Sequence, residues 1–167
     1  MIKILFICHG NICRSPMAEF VMKDLVRRAE LEEQFYIASA ATSTEEIGND
    51  IHYGTGRKLA QEGIPVTPRG AIQLTRADYG KYDYLIGMDS ANIRNMNRML
   101  GGDPEGKIYK LLSFAGKSDD IADPWYTGNF DETYEDILLG CQALLKYIRG
   151  IEKIVGEDGL ASKGLSD

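Results

Sequence analysis

The stretch from residue 2 to residue 19, IKILFICHGNICRSPMAE, decides the fold of this 167-residue chain. Ile2–Ile7 is a short apolar run, typical of a buried strand in a parallel sheet. A turn that contains glycine follows, and Ser15 and Pro16 then predict a helix start, with Ser15 as the N-cap. From Ala18 onward, apolar residues recur at helical spacing. The stretch therefore predicts a strand, a tight turn and a helix.

The rest of the chain repeats this alternation. Further strands are predicted at Phe35–Ala38, Tyr82–Met88 and Lys107–Leu112. Helices are predicted at Arg57–Gln61 with a stop at Gly63, from a Ser90 cap to Gly101, and from about Asp131 onward, with a loop at Gly116–Asn129 between the last strand and the last helix. Such alternation implies an α/β fold, a parallel sheet with helices on both faces. Ligands of these sheets bind at the carboxyl ends of the strands, near a switch point in strand order, which directs attention to the turn after the first strand.

Composition and charge argue against several classes of function. The formal net charge is −6, which argues against nucleic acid as a partner. No run approaches the roughly 20 apolar residues of a membrane span, and the apolar run Ile4–Ile7 is too short for a signal peptide. Three cysteines, an odd number, indicate reduced thiols. We therefore expect a cytoplasmic protein without membrane association, one domain over residues 1–155, and a flexible tail at 156–167.

The turn at residues 8–15, CHGNICRS, carries the chemistry. Five residues separate Cys8 from Arg14, enough for the backbone to curl into a cradle of inward N–H groups, with Gly10 supplying an unusual backbone angle. Arg14 offers a planar fork for two phosphate oxygens. The helix N-terminus and the Ser15 hydroxyl would stabilise a Cys8 thiolate, a nucleophile in line with a bound phosphate. The plainer alternative is that Cys8 and Cys13 are small buried hydrophobic residues.

This turn, continued by PMAE at residues 16–19, resembles the phosphate loop of the low-molecular-weight protein tyrosine phosphatases. YDYLIGMD at 82–89 resembles the third strand of that family and the acidic residue that ends it, and DPWY at 123–126 resembles its general-acid loop. The resemblance implies a three-layer fold around a four-stranded parallel sheet of flavodoxin-like order. It also implies hydrolysis of phosphotyrosine in proteins, and of small aryl phosphates, through a cysteinyl-phosphate intermediate and without a cofactor or a metal.

The resemblance assigns roles to residues of this chain. Asp123 is implied as the acid that protonates the leaving phenolate and then activates water. The implied catalytic residues are Cys8, Arg14 and Asp123. The residues implied to bind substrate and phosphate are His9, Gly10, Asn11, Ile12, Cys13, Arg14, Ser15, Trp125 and Tyr126. Asn11, Ser15 and Ser39 are implied to support the loop, while Glu45 or Glu46 is expected to face the aromatic pair.

Other positions depart from the family or stand apart from the catalytic set. Members often have a His-x-Ala-Arg stretch where this chain has RGAI at 69–72, so Arg69 receives no role. Cys13 is near enough to Cys8 in sequence for a reversible, redox-protective disulfide. Cys141 lies on an apolar helical stripe and is expected in the core. His9 and His52 lack a second ligand at useful spacing, so no metal site is predicted.

Three alternatives remain beside a phosphotyrosine phosphatase. An arginine phosphatase of the same family tends to have Thr in place of Ile12 and a less aromatic acid loop. An arsenate reductase needs further redox cysteines, which the region 78–112 lacks. A phosphate-binding module without turnover would not need the set of Cys8, Arg14 and Asp123. The expected partners are tyrosine-phosphorylated proteins, and the chain itself is expected to be a monomer or to self-associate weakly.

Overall fold

The structure is a computed structural model that describes residues 1–152. Its single sheet has four strands, which are β1 Ile2–Cys8, β2 Phe35–Ala41, β3 Tyr84–Gly87 and β4 Ile108–Lys110. The strand order is β2-β1-β3-β4, and each pairing is parallel. This confirms the predicted sheet of flavodoxin-like order. The tail predicted at 156–167 lies outside the described residues.

Six α-helices connect and cover the strands over this range. They are α1 Arg14–Arg28, α2 Tyr53–Gln61, α3 Asp78–Lys81, α4 Ser90–Leu100, α5 Pro124–Thr127 and α6 Phe130–Glu152. Short 3₁₀ helices lie at Glu32–Gln34 and Leu111–Ala115. No helix among residues 1–152 is both long enough and apolar enough to span a bilayer.

Strand β1 lies in the middle of two apolar layers. Ile4 and Phe6 pack into a cluster with residues of α1 and α6, whereas Leu5 and Ile7 pack into a second cluster that includes Met96 of α4. Successive side chains of a strand point to opposite faces, so a strand covered on both faces must be apolar throughout. This confirms the three-layer arrangement and explains the continuous apolar run.

The predicted start of α1 is wrong. The helix begins at Arg14 with Cys13 as its N-cap, and no side chain accepts a capping hydrogen bond there. Ser15 is therefore inside the first turn, and Pro16 follows it. The hydroxyl of Ser15 is committed to the sulfur of Cys8, which explains why it does not serve the helix end.

The predicted cap of α4 is also displaced by one residue. Asp89, not Ser90, is the N-cap, and its carboxylate accepts a hydrogen bond from the backbone N–H of Asn92 at 2.7 Å. The side chain of Asn92 accepts in return from the N–H of Asp89 at 3.2 Å, which completes a capping box. Gly101 ends the helix with a φ of 78°, as predicted.

Helix α2 begins earlier than predicted, at Tyr53. His52 supplies the missing start signal, because its Nδ1 accepts a hydrogen bond from the N–H of Gly54 at 3.0 Å. A Cβ at Gly54 would lie 2.5 Å from Phe130 Cζ, so glycine allows α2 to approach α6 closely. Gly63, with a φ of 72°, follows the helix end as expected.

Candidate active site

The phosphate loop, residues 8–15, leaves the carboxyl end of β1 between the two neighbouring strands and enters α1. Cys8 is 3% exposed. Its sulfur accepts hydrogen bonds from the backbone N–H groups of Asn11 at 3.3 Å and Ser15 at 3.4 Å, and it lies 3.1 Å from Ser15 Oγ. Three groups of the loop therefore converge on this sulfur, directly before the N-terminus of α1.

The sequence suggested that Gly10 has the unusual backbone angle of the loop, but the residue that has it is Asn11. Asn11 has a φ of 59°, in the left-handed region that asparagine tolerates better than most residues. It is completely buried. Turning the chain at this point aims the N–H of Asn11 at the sulfur of Cys8. A buried residue in this conformation persists only where its surroundings hold it.

The side chain of Asn11 organises the space beneath the loop. Its Nδ2 donates to Ser15 Oγ at 2.8 Å and to Ser39 Oγ at 2.9 Å. Because Ser15 Oγ accepts from Asn11, the hydroxyl hydrogen of Ser15 is available to the sulfur of Cys8. Ser39 Oγ in turn donates a hydrogen bond to Glu19 Oε1 at 2.6 Å. The supporting positions expected at Asn11, Ser15 and Ser39 therefore form one connected chain of hydrogen bonds.

Arg69 binds the oxygen atoms of Asn11, a contact that the sequence did not reveal. Its Nη2 lies 2.6 Å from both the carbonyl oxygen and Oδ1 of Asn11. The N–H of Ile72 also donates to Asn11 Oδ1 at 3.2 Å, and Arg69 Nη1 donates to the carbonyl of Asn49 at 3.2 Å. Burial lowers the pKa of Arg69. The contact joins residues 58 apart in sequence, so no local spacing could have found it.

Arg14 is 3% exposed in its side chain and is oriented by acidic groups. Its Nη1 donates to Asp89 Oδ2 at 2.7 Å and to the carbonyl of Ile121 at 2.9 Å, while Nη2 lies 3.5 Å from Asp123 Oδ2. Burial alone would lower the pKa of Arg14, but Cys8 and Asp89 outweigh it and the net pKa is raised. The sequence indicated Asp89 as the residue that ends a strand, and the structure adds its contact with Arg14.

Asp123 is the N-cap of α5. Its Oδ1 accepts a hydrogen bond from the N–H of Trp125 at 3.0 Å. Its side chain is 24% exposed, so one face of the carboxyl group remains open to the cavity above Cys8. The four-residue helix α5 lies within the predicted loop and holds Asp123 and Trp125 on the same turn.

A cavity of about 90 Å³ lies over the sulfur of Cys8. Most of the predicted binding residues line it, together with both glutamates of the pair expected to face the aromatic residues: Cys8, His9, Gly10, Ile12, Cys13, Arg14, Glu45, Glu46, Asp123, Trp125 and Tyr126. Asn11, Ser15 and Ser39 support the loop without lining the cavity. Trp125 and Tyr126 are 57% and 81% exposed, so they form a projecting aromatic wall, while His9 Nε2 lies 3.0 Å from Glu45 Oε2 on an acidic part of the wall.

The three cysteines occupy different environments. Burial, together with the negative charges of Cys8 and Asp123, raises the pKa of Cys13 to about 12. The Cys13 thiol therefore stays protonated near neutral pH, although it lines the same cavity as Cys8. Cys141 is completely buried in the α1–α6 core, as predicted. Within the part of the chain that the structure describes, no three His, Cys, Asp or Glu side chains are placed to share a metal ion.

Fold and site together define an α/β protein that holds a phosphate-sized space over a cysteine, an arrangement of the cysteine-dependent phosphatases. The model of the low molecular weight phosphotyrosine protein phosphatase family matches residues 3–154. The chain therefore belongs to this family, and it is a phosphatase.

Named relatives agree with this membership. The chain is 42% identical to the low molecular weight protein-tyrosine-phosphatase YfkJ of Bacillus subtilis, over 89% of this chain and 97% of the relative. The crystal structure of YfkJ matches with a TM-score of 0.85, over 89% of this chain and 95% of that chain. The phosphatase PtpA of Staphylococcus aureus is 33% identical over 89% and 94% of the two chains. A Drosophila arginine phosphatase structure is 30% identical, with a TM-score of 0.80 over 87% and 97%.

Proposed function

We propose that this protein hydrolyses phosphotyrosine in proteins, and small aryl phosphates, through a phosphocysteine at Cys8. The observation that carries the proposal is the position of the Cys8 sulfur. It lies at the cavity floor with Asn11 and Ser15 as hydrogen-bond donors. Arg14 and Asp123 line the same cavity.

The first step transfers the phosphoryl group to Cys8. The thiolate attacks phosphorus, the S–P bond forms as the P–O bond to the aryl group breaks, and Arg14 holds two of the phosphate oxygens. Asp123, in its acid form, gives a proton to the departing phenolate, whose ordinary pKa is about 10. Asp89 and the carbonyl of Ile121 keep Arg14 aimed at the cavity.

The second step hydrolyses the phosphocysteine. Asp123, now a carboxylate, takes a proton from water as the water oxygen attacks phosphorus, and the thiolate of Cys8 leaves. The hydrogen bonds from Asn11 and Ser15 stabilise that leaving thiolate. The proton given up in the first step is thereby recovered, and each proton transfer uses a side chain of this protein.

The direct test is turnover of p-nitrophenyl phosphate in the presence of EDTA. Cys8→Ser should abolish turnover, and an acid quench of the wild-type reaction should trap phosphate on the peptide that contains Cys8. Full activity in Cys8→Ser would falsify the mechanism. Retention of inorganic phosphate without any turnover in the wild type would instead favour a binding module.

Phosphotyrosine rather than phosphoarginine is favoured by Ile12, which is 8% exposed and lines the cavity. Its apolar side chain offers no oxygen to a guanidinium group, and Trp125 presents an aromatic surface to a phenyl ring. The similarity to an arginine phosphatase makes this choice worth measuring. Two peptides that differ only in phosphotyrosine or phosphoarginine should differ at least tenfold in kcat/KM, and Ile12→Thr should narrow that gap. A wild-type preference for phosphoarginine would reverse the assignment.

We further propose tyrosine-phosphorylated proteins as partners, a cytoplasmic location, and a monomer or weakly associating chain. The three free cysteines support a reducing compartment, where a thiolate nucleophile survives. Cell fractionation tests the location. Light scattering on a sizing column tests the oligomeric state, and capture of phosphoproteins on Cys8→Ser tests the partners.

Cys13 is proposed as the residue that protects Cys8 from over-oxidation. Peroxide would convert the Cys8 thiolate to a sulfenic acid, and the sulfur of Cys13 would then displace hydroxide to form a disulfide. The raised pKa of Cys13 predicts that this second reaction is slow near neutral pH and faster in alkali. Mass spectrometry of peroxide-treated protein should find a Cys8–Cys13 bond that thiols reverse. Sulfinic acid on Cys8 without that bond would contradict the proposal.

A further inference from the structure

A second and larger depression adjoins the catalytic cavity. This groove has a volume of about 600 Å³ and lies between α2 and the segment from α5 to the start of α6. Its lining residues are His52, Tyr53, Gly54, Arg57, Lys58, Gln61, Pro124, Trp125, Gly128, Asn129, Phe130 and Asp131. Trp125 belongs to the groove and to the catalytic cavity, so the two spaces are continuous. Apart from Trp125, none of its lining residues belongs to the catalytic cavity.

The floor of the groove is ordered by an aromatic cluster around His52. The ring of His52 lies 4.7 Å from Tyr53, 5.3 Å from Phe130 and 5.6 Å from Trp125, centroid to centroid. Its backbone N–H donates to the carbonyl of Ile12 in the phosphate loop at 2.9 Å. The groove is thus tied directly to the loop that holds the phosphate.

The charges of the groove differ from those of the cavity wall. Lys58 is neutralised, because its Nζ lies 2.8 Å from Asp131 and 3.0 Å from Glu62. Arg57 is exposed and forms no ion pair with any residue from 1 to 152. The acidic part of the cavity wall, at Glu45 and Glu46, is not part of the groove.

From this arrangement we infer that the groove binds the polypeptide that flanks the phosphorylated residue, and that Arg57 selects acidic side chains in it. The inference rests on the proposed function. A substrate chain that leaves the cavity past Trp125 enters the groove, where its carboxylates meet Arg57. A chain that leaves over Glu45 and Glu46 would meet like charge, which disfavours acidic sequences. Exposed Tyr53, at 73%, supplies apolar contact area on the same path.

The net charge of the protein means that a preference for acidic peptides would have to come from particular residues. At −6, the overall field repels an acidic peptide, so any preference for acidic flanks must come from local groups. Arg57 is the cation of the groove that no carboxylate of the described chain already neutralises. Its position on α2, one helical turn from Tyr53, places the charge beside the aromatic surface.

The experiment compares pairs of phosphotyrosine peptides, one with glutamates and one with glutamines at the same positions, placed once before and once after the phosphotyrosine. For the flank that enters the groove, the wild type should favour the glutamate peptide by about fivefold in kcat/KM, the size expected of one exposed ion pair. Arg57→Glu should abolish or reverse that ratio. Arg98→Glu is the matched control, because Arg98 is exposed on α4, on the other face of the sheet, and it should keep the wild-type ratio.

Each outcome decides the question. Equal rates within both pairs of peptides in the wild type, an unchanged ratio in Arg57→Glu, or an equal loss in Arg98→Glu would overturn the role of the groove. Hydrolysis of p-nitrophenyl phosphate by the same preparations separates this failure from that of the proposed function. A preparation that turns over the aryl phosphate without distinguishing the peptides refutes only the groove, whereas one with no turnover at all refutes the phosphatase mechanism.

Discussion

The floor of the catalytic cavity and its rim are built on different principles. At the floor, Asn11, Arg14 and Ser15 are at most 2% exposed, and no buried side-chain polar atom of the described chain lacks a hydrogen-bond partner. At the rim, Trp125 and Tyr126 are 57% and 81% exposed. Buried, fully bonded groups hold reacting atoms in place, whereas exposed side chains can adapt to a partner. We therefore expect the floor to govern the chemistry and the rim to govern the choice of substrate.

Arg14→Lys tests the floor most severely. A lysine keeps the positive charge but loses the planar fork that grips two phosphate oxygens, so kcat/KM for an aryl phosphate should fall on the order of 10³-fold. Steady-state kinetics measures this effect. The thermal unfolding midpoint should be recorded alongside, because Asp89 would lose an ideal partner. A loss below tenfold would mean that charge alone, and not fork geometry, binds the phosphate.

Asp123→Asn tests a side chain that contacts both Arg14 at the floor of the cavity and Trp125 at its rim. The amide keeps a similar shape but cannot donate a proton as an acid, so kcat for phenyl phosphate should fall by about 10²- to 10³-fold. With p-nitrophenyl phosphate, whose leaving group needs less protonation, the fall should be smaller. A plot of rate against leaving-group pKa measures the difference. Equal losses for both substrates would assign Asp123 to binding instead of proton transfer.

Arg69→Met tests whether support beneath the floor is part of the catalyst. The substitution leaves two oxygen atoms of Asn11 without their shortest hydrogen bonds, and such a loss costs about 1–3 kcal/mol. We expect kcat/KM to fall about tenfold, with partial recovery in Arg69→Lys. Arg98→Met is the control for loss of a distant arginine. If Arg69→Met lowers the unfolding midpoint but leaves kinetics unchanged, Arg69 is structural only.

The smallest expected effect is at Cys13, where the free energy of unfolding should change with pH. The folded protein raises the pKa of this thiol from 9.0 to about 12, so the folded state holds the proton more tightly than the unfolded chain does. Its contribution to stability is complete below pH 9 and is lost as the pH rises toward 12. Urea unfolding should show the stability of wild type relative to Cys13→Ala falling by about 1–2 kcal/mol between pH 8 and 10.5. A constant difference would mean that Cys13 is not desolvated.

The sequence by itself determined the features that depend on local pattern. The apolar run of β1, the spacing of Cys8 and Arg14, and the Asp-Pro turn at Asp123 indicated the sheet, the phosphate loop and the family. Periodicity and short motifs carry this information because they describe neighbours along the chain. Periodicity placed Cys141 in the core, and the resemblance of residues 123–126 to the general-acid loop of the family placed Trp125 at the cavity.

Only the tertiary structure decided the contacts between distant segments. The role of Arg69 on Asn11 and the link between Arg14 and Asp89 have no signature in local spacing. The left-handed residue was expected at Gly10 and is Asn11, because the side chains of Ser15, Ser39 and Arg69 and the backbone N–H of Ile72, from three separate segments, stabilise a conformation that glycine would adopt more freely. A sequence shows which groups are available for such a network, and the folded chain decides which of them meet.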